Sequence, residues 1–184
     1  MRLGLTTDKK TRQEQLARDI VRSSFLVGDF ILSSGKKSQY YFDKYLFETK
    51  PYILRPLARL LAEFIPPAAD RLAGPELGGV SLATAVSLET GIPFVIIKKK
   101  EKEYATAKSL EGELYPGERV VVLEDVITTG AQAIRAAQEI QAVGAEVLFI
   151  LGVLDREEGA QENMAAAGFQ MKALFTRMAL EAHM

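Results

Sequence analysis

The sequence predicts an α/β fold: a mainly parallel, twisted sheet with helices on both faces. Three observations carry this expectation. From Leu72 onward, short apolar runs rich in valine and isoleucine alternate with helical patterns, the signature of strand–helix–strand units. The helical stretches between them are long enough to serve as crossovers. Polar residues punctuate the carboxyl ends of the strands three times, at Gly74–Gly79, Glu124–Gly130 and Asp155-Arg156, where ligands of such sheets bind.

Taken in order, residues 1–10 are polar and carry no apolar period. Thr11–Phe25 fits an amphipathic helix, with Leu16, Ile20 and Val21 on one side and Gln13, Glu14, Arg18 and Asp19 elsewhere. Phe30–Asp43 reads as two short strands around a Ser-Gly turn. Pro51–Ile65 reads as a helix with proline near its start, closed by Pro66-Pro67. Pro56 within it demands a first-turn position or a kink. Leu72-Ala73 ends a short strand, and the glycine loop Gly74–Gly79 leads into a helix over Val80–Glu89. Strands follow at Pro93–Ile97, Arg119–Leu123, Ala145–Leu154 and Phe169–Phe175, with helices at Ala131–Val143 and Gln161–Ala167. Lys98–Gly112 fits no element; its alternating charges suit either a solvated hairpin or helix face, or a lid carrying lysines.

Composition narrows the class of function. The chain has 184 residues, 48% of them hydrophobic, enough to bury a core. With 23 basic and 24 acidic residues the net charge is −1, so bulk attraction to nucleic acid or anionic lipid is not expected. The absence of cysteine removes disulfides, thiolate metal sites and a cysteine nucleophile. No apolar run approaches membrane-spanning length, and a soluble, cytoplasmic protein is expected.

The most informative stretch is Arg119–Gly130. A buried strand runs into two adjacent acids, Glu124 and Asp125, then two hydroxyls and a glycine, Thr128-Thr129-Gly130, and at once a helix. A helix start offers unpaired N–H groups and partial positive charge, and threonines add donors, so the turn suits a phosphate. The acids can accept hydrogen bonds from sugar hydroxyls. The plainer reading is a strand followed by a helix that Thr128 or Thr129 caps, which leaves the two carboxylates without a task.

Val121–Gly130 resembles the phosphoribosyl-pyrophosphate (PRPP) signature of type I phosphoribosyltransferases. Within that superfamily, Phe30–Asp43, the lysine-rich loop ending at Glu111-Gly112, and Asp155-Arg156 resemble orotate phosphoribosyltransferase. The resemblance implies one phosphoribosyltransferase domain over residues 1–184. Residues 1–45 would form an N-terminal helix and hood, residues 46–184 the α/β core, and a mobile catalytic loop would cover the site. Glu124 and Asp125 would bind the ribose hydroxyls, and Val126, Ile127, Thr128, Thr129, Gly130, Ala131 and Gln132 would wrap the 5-phosphate. Tyr41 and Phe42 would pack on the orotate ring, which Thr128 and Arg156 would hold. Glu76, Leu77, Gly78 and Gly79 would lie along the pyrophosphate. Lys98, Lys99, Lys102 and Tyr104 match the catalytic loop, with Lys99, Lys102 and Asp125 as the catalytic set. Mg²⁺ would be bound mainly through PRPP, with no ligand directly from the protein. The loop of such enzymes closes over the partner subunit's site, which implies a homodimer, with no nucleic-acid or membrane partner.

The sequence departs from the family pattern at Lys98, where arginine is usual, at Tyr104, where histidine is frequent, and at Ala105, where glycine is usual. Ser33 and Leu77-Gly78 stand where well-known members carry a lysine and a Tyr-Lys pair. These changes keep the ribose-phosphate end and thin the cations facing pyrophosphate. Two other readings compete: a phosphoribosyltransferase for another nucleobase, and a PRPP-sensing regulator with little activity. A carboxylate partner such as Arg156 has no role with a neutral purine, and a regulator would be expected to carry a nucleic-acid-binding domain or face.

Overall fold

A computed structural model describes residues 8–31, 35, 37–99 and 109–184. Helix α1, Lys9–Ser24, buries Leu16, Ala17, Ile20 and Val21, a stripe at helical spacing. The chain turns extended at Phe25, where β1 (Phe25–Ile31) begins and pairs antiparallel with β2 (Lys37–Phe42) in a separate two-stranded sheet. The hairpin thus starts five residues earlier than the Phe30 expected from the sequence. Phe25 pairs with Phe42 in register and their rings meet edge to face at 5.1 Å, which fixes the strand start at the helix end.

A single helical turn, α2 (Tyr45–Glu48), follows, and Asp43 Oδ1 accepts the Tyr45 N–H at 3.1 Å to launch it. Helix α3, Pro51–Ala62, has proline in its first turn and Pro56 inside, and buries Ile53, Leu57, Leu60 and Leu61. Strand β3 (Arg71–Pro75) leads through the glycine loop into α4 (Gly78–Thr90). Then come β4 (Phe94–Ile97), β5 (Leu110–Glu111), β6 (Arg119–Ile127), α5 (Ala131–Ala142), β7 (Glu146–Asp155), α6 (Ala160–Ala166), β8 (Met171–Thr176) and α7 (Arg177–Glu181). The close of the unassigned Lys98–Gly112 segment is therefore a short strand, β5, antiparallel to β4. Residues 100–108 lie outside the described residues.

The six-stranded sheet has the order β5-β4-β3-β6-β7-β8, parallel except for β5. Strand β6 returns to the far side of β3, so the winding reverses between these two strands, and the crevice opens at their carboxyl ends. Alternation along β6 divides the core. Val121 and Leu123 face α1, α3 and α4, while Val120 and Val122 face α5. At the opposite, amino-terminal edge, Asp70 accepts Arg119 Nε at 2.9 Å and Nη2 at 3.1 Å. This guanidinium holds the exposed Asp70 carboxyl down at about 2. Arg119, which opens the signature stretch, therefore staples strands and lies far from the site.

Candidate active site

Strand β6 does not end at Leu123. It continues through the acids to Ile127, pairing with β7 from Glu124↔Gly152 to Ile127↔Asp155. The strand thus carries both Glu124 and Asp125, whose exposures are 4% and 0%. Carboxyls this buried need partners. Val126 N–H donates to Asp125 Oδ1, and the ammonium of Lys44, just before α2, lies 2.7 Å from Asp125 Oδ2.

A third acid joins them. Glu48, on α2, is 4% exposed, and the Ser81 hydroxyl lies 3.3 Å from its Oε2. Between Glu48 and Asp125 stands Gly78, where an added Cβ would fall 1.7 Å from Asp125 Oδ2 and 2.8 Å from Glu48 Oε1. Burial first, then the hydrogen bond and charge of Asp125, push the Glu48 carboxyl up to about 8. The same causes, burial before the Asp125 charge, hold Glu124 well above the carboxylate range. Burial alone would lower Lys44, but the Asp125 carboxylate overrides it and raises the ammonium. Lys44 and Glu48 were not expected from the sequence. Their only signal is an i, i+4 lysine–glutamate spacing in a stretch too short to show a helical period.

The Glu48 titration has a consequence for stability. The folded protein keeps a proton on Glu48 up to about pH 8, whereas an unfolded chain releases it near the ordinary 4.5. The folded state binds the extra proton between those values, so this group's contribution is full below 4.5 and drains away as pH rises through 8. Glu48→Gln is therefore expected to make Tm fall less steeply between pH 5 and 8 than in the parent. Parallel Tm profiles would refute the buried protonated Glu48.

The turn after β6 does not take the plainer reading of a capped helix. Helix α5 starts after Gly130, whose φ is +82°, and no side chain caps it, so neither Thr128 nor Thr129 does so. The left-handed glycine intervenes between the hydroxyls and the helix, and its missing side chain leaves room for Met164 Cε, 2.9 Å from where a Cβ would stand. The first residues of α5 line the cleft, and the first N–H groups of a helix have no partner within it. Asn163 Nδ2 donates to the Thr129 carbonyl at 2.9 Å, and Gln132 Nε2 to the Glu76 carbonyl at 2.9 Å. The second bond ties the phosphate turn to the glycine loop, in which the Glu76–Leu77 peptide is cis.

These pieces line one open cleft of about 1370 Å³, running from Glu124 through Ala133 and across to the hairpin and Arg156. Tyr41 is exposed and its ring lies 5.6 Å from that of Phe30. Phe42 also lines the cleft, yet its ring is fastened between Phe25 and Phe47. The Arg156 N–H donates to the Ile127 carbonyl at 2.9 Å, and its guanidinium lies 3.0 Å from Glu158. Lys98 and Lys99 are not among the described residues lining this cleft. Lys98 pairs with Glu111 at 2.7 Å across β4 and β5, and the Lys99 backbone N–H donates to Glu76 Oε2 at 3.2 Å. Gly78 packs against Asp125 and Gly79 against the Leu123 carbonyl, Leu77 is exposed, and Lys102 and Tyr104 lie outside the described residues.

A sheet with its switch point at the β6 acids, followed by an uncapped helix start, fits the phosphoribosyltransferase class, and residues 50–170 match the phosphoribosyl transferase domain family. The orotate phosphoribosyltransferase of Pyrococcus abyssi is 47% identical over 166 residues, 88% of this chain and 91% of the relative. The crystal structure of the Aeropyrum pernix orotate phosphoribosyltransferase matches with a TM-score of 0.82 at 28% identity, covering 91% of this chain and 96% of that one. The Mycobacterium tuberculosis orotate phosphoribosyltransferase in complex with PRPP matches with a TM-score of 0.78 at 29% identity, covering 92% and 99%. This chain belongs to the orotate phosphoribosyltransferase family.

Proposed function

We propose that this cleft transfers the ribose 5-phosphate group of PRPP to orotate, giving orotidine 5′-phosphate and pyrophosphate in pyrimidine biosynthesis. The observation that carries the proposal is the meeting of three chemistries in one cleft: buried acids, an uncapped helix start, and a guanidinium opposite an aromatic hairpin. The α5 start and the backbone from Val126 to Gln132 take the 5-phosphate, as helix N-termini do. Glu124 and Asp125 take the ribose hydroxyls. Tyr41 and Phe42 flank the pyrimidine, Thr128 hydrogen-bonds to it, and the planar fork of Arg156 pairs with its carboxylate.

The orotate ring nitrogen bonds to the anomeric carbon as the bond to pyrophosphate breaks, with positive charge developing on the ribose and negative charge on the leaving group, and the proton of that nitrogen passes to the released pyrophosphate. Lysines of the 98–102 segment approach the pyrophosphate, and a closed cleft keeps water from the ribose. No protein nucleophile takes part. Among the described residues no group of three or more acids or histidines could hold a metal by itself. Mg²⁺ would be held mainly by pyrophosphate oxygens and water, with no ligand directly from the protein, since both Asp125 oxygens already face the Val126 N–H and Lys44. That ion, when bound, supplies positive charge to the leaving pyrophosphate. Among the described residues no helix is long and apolar enough to cross a membrane, and a cytoplasmic homodimer exchanging its loops completes the proposal.

The test is an orotate-plus-PRPP assay with and without Mg²⁺, with uracil, hypoxanthine and adenine as competing bases. Magnesium-dependent formation of orotidine 5′-phosphate, with orotate preferred, is the expected result; no preference for orotate sinks the base assignment. Arg156→Ala is expected to weaken orotate binding by about 1.5–3 kcal/mol, the worth of a charge-assisted hydrogen bond. The KM for PRPP should change little. An unchanged orotate affinity would remove Arg156 from the site.

A further inference from the structure

We infer that Lys44 and Glu48, one turn apart on and beside α2, are positioning residues that set the orientation of Asp125 for the ribose. The inference rests on the proposal that Asp125 binds the sugar. Asp125 cannot be aimed by packing alone, since a carboxylate turns freely about its last bond unless its oxygens are held. Its Oδ1 is taken by the Val126 N–H and its Oδ2 by Lys44 at 2.7 Å, so the two grips fix the carboxylate plane. Lys44 is the half-buried member of that pair, with 34% of its side chain exposed against 1% for Asp125, and it lines the cleft. The ammonium therefore reaches the acid from the substrate side.

Glu48 closes the third side. Its Oε1 is buried and faces the same space as Asp125 Oδ2, across the bare Cα of Gly78. An acid at that place keeps Asp125 from swinging toward α4 and away from the cleft. The platform for both residues is itself fastened. Lys50 Nζ donates to the Ser23 hydroxyl at 2.7 Å, Ser23 donates to the Leu46 carbonyl at 3.0 Å, and Asp43 N–H donates to the Ser24 carbonyl at 2.9 Å. The segment Asp43–Lys50 is thus tied to α1 at three points, and its Lys44 and Glu48 meet at one carboxylate.

The experiment measures PRPP dissociation constants by calorimetry, and KM for PRPP and orotate, in the full-length protein and in Asp125→Asn, Lys44→Met, Lys44→Arg, Glu48→Leu and Glu48→Gln. Lys44→Met is expected to raise the PRPP Kd at least tenfold, with orotate KM within threefold of the parent, and Lys44→Arg to recover most of the loss. Glu48→Leu is expected to raise the PRPP Kd several-fold, and Glu48→Gln, which can still donate toward Asp125, to recover most of it. If Lys44→Met does not fold, Lys44→Gln carries the same comparison. If Asp125→Asn weakens PRPP while the Lys44 and Glu48 variants do not, the positioning role is overturned and the ribose assignment stands. Equal rises in both KM values would show a role in holding the hairpin instead. If Asp125→Asn binds PRPP like the parent, the ribose assignment fails and this inference falls with it.

Discussion

Asp125→Asn is expected to cost PRPP binding about 2–4 kcal/mol and to lower kcat/KM by at least as much. The substitution is nearly isosteric, so the argument is electrostatic. Both oxygens of Asp125 face donors, the Val126 N–H on one side and the Lys44 ammonium on the other. An asparagine has one acceptor and one NH₂, so whichever way it turns, a donor meets a donor. Lys44 also loses its counter-charge in a partly buried setting, and breaking a buried pair from one side costs about 3–5 kcal/mol. The ribose hydroxyls lose a charged acceptor, worth about 1.5–3 kcal/mol. Part of this penalty falls on the free protein and lowers Tm rather than affinity, which sets the range given. Calorimetry with PRPP and steady-state kinetics check it. Unchanged kinetics would refute the ribose role of Asp125.

Much of this cleft is legible in the sequence, and the exceptions have physical causes. Val120–Leu123 declared a buried strand because an apolar β-branched run between charges has few other fates. The strand's true end was hidden, because acids ordinarily mark a loop, whereas here Glu124 and Asp125 stay in the strand and are compensated from outside it. That compensation comes from α2, and one helical turn leaves no periodicity to read. The plainer reading of the threonines as caps fails for a local reason: Gly130 takes the cap position in a left-handed conformation. The glycine loop was legible as a loop and not as a wall. Only the folded chain shows that Gly78 lies against Asp125 and Gly79 against the Leu123 carbonyl of another strand. The lysines of Lys98–Lys102 were read as one functional group, yet Lys98 is already engaged by Glu111 across the β4–β5 pair. A cross-strand partner thirteen residues away carries no local signal.

Gly78→Ala is expected to lower PRPP affinity by about two orders of magnitude or more. The new Cβ would stand 1.7 Å from Asp125 Oδ2, 2.5 Å from its Cγ and 2.8 Å from Glu48 Oε1. None of these atoms is the loose end of an exposed chain. Asp125 is fully buried and gripped on both oxygens, and Glu48 is 4% exposed. Nor can the start of α4 retreat cheaply, since a Cβ at neighbouring Gly79 would fall only 2.6 Å from the Leu123 carbonyl, so the backbone already touches β6. The overlap must be relieved by turning Asp125 out of its place, which breaks the Lys44 contact and the ribose site together. Overpacking of this kind costs about 1–3 kcal/mol of stability, so the alanine protein should still fold. Gly91→Ala is the control: φ is +76° there and nothing lies within 4 Å of the added methyl. Its cost is backbone strain alone, about 1 kcal/mol, with PRPP binding unaffected. Comparable Tm losses in the two variants, with PRPP binding lost only at position 78, are the expected pattern. If Gly78→Ala binds PRPP like Gly91→Ala, Asp125 does not set the ribose site.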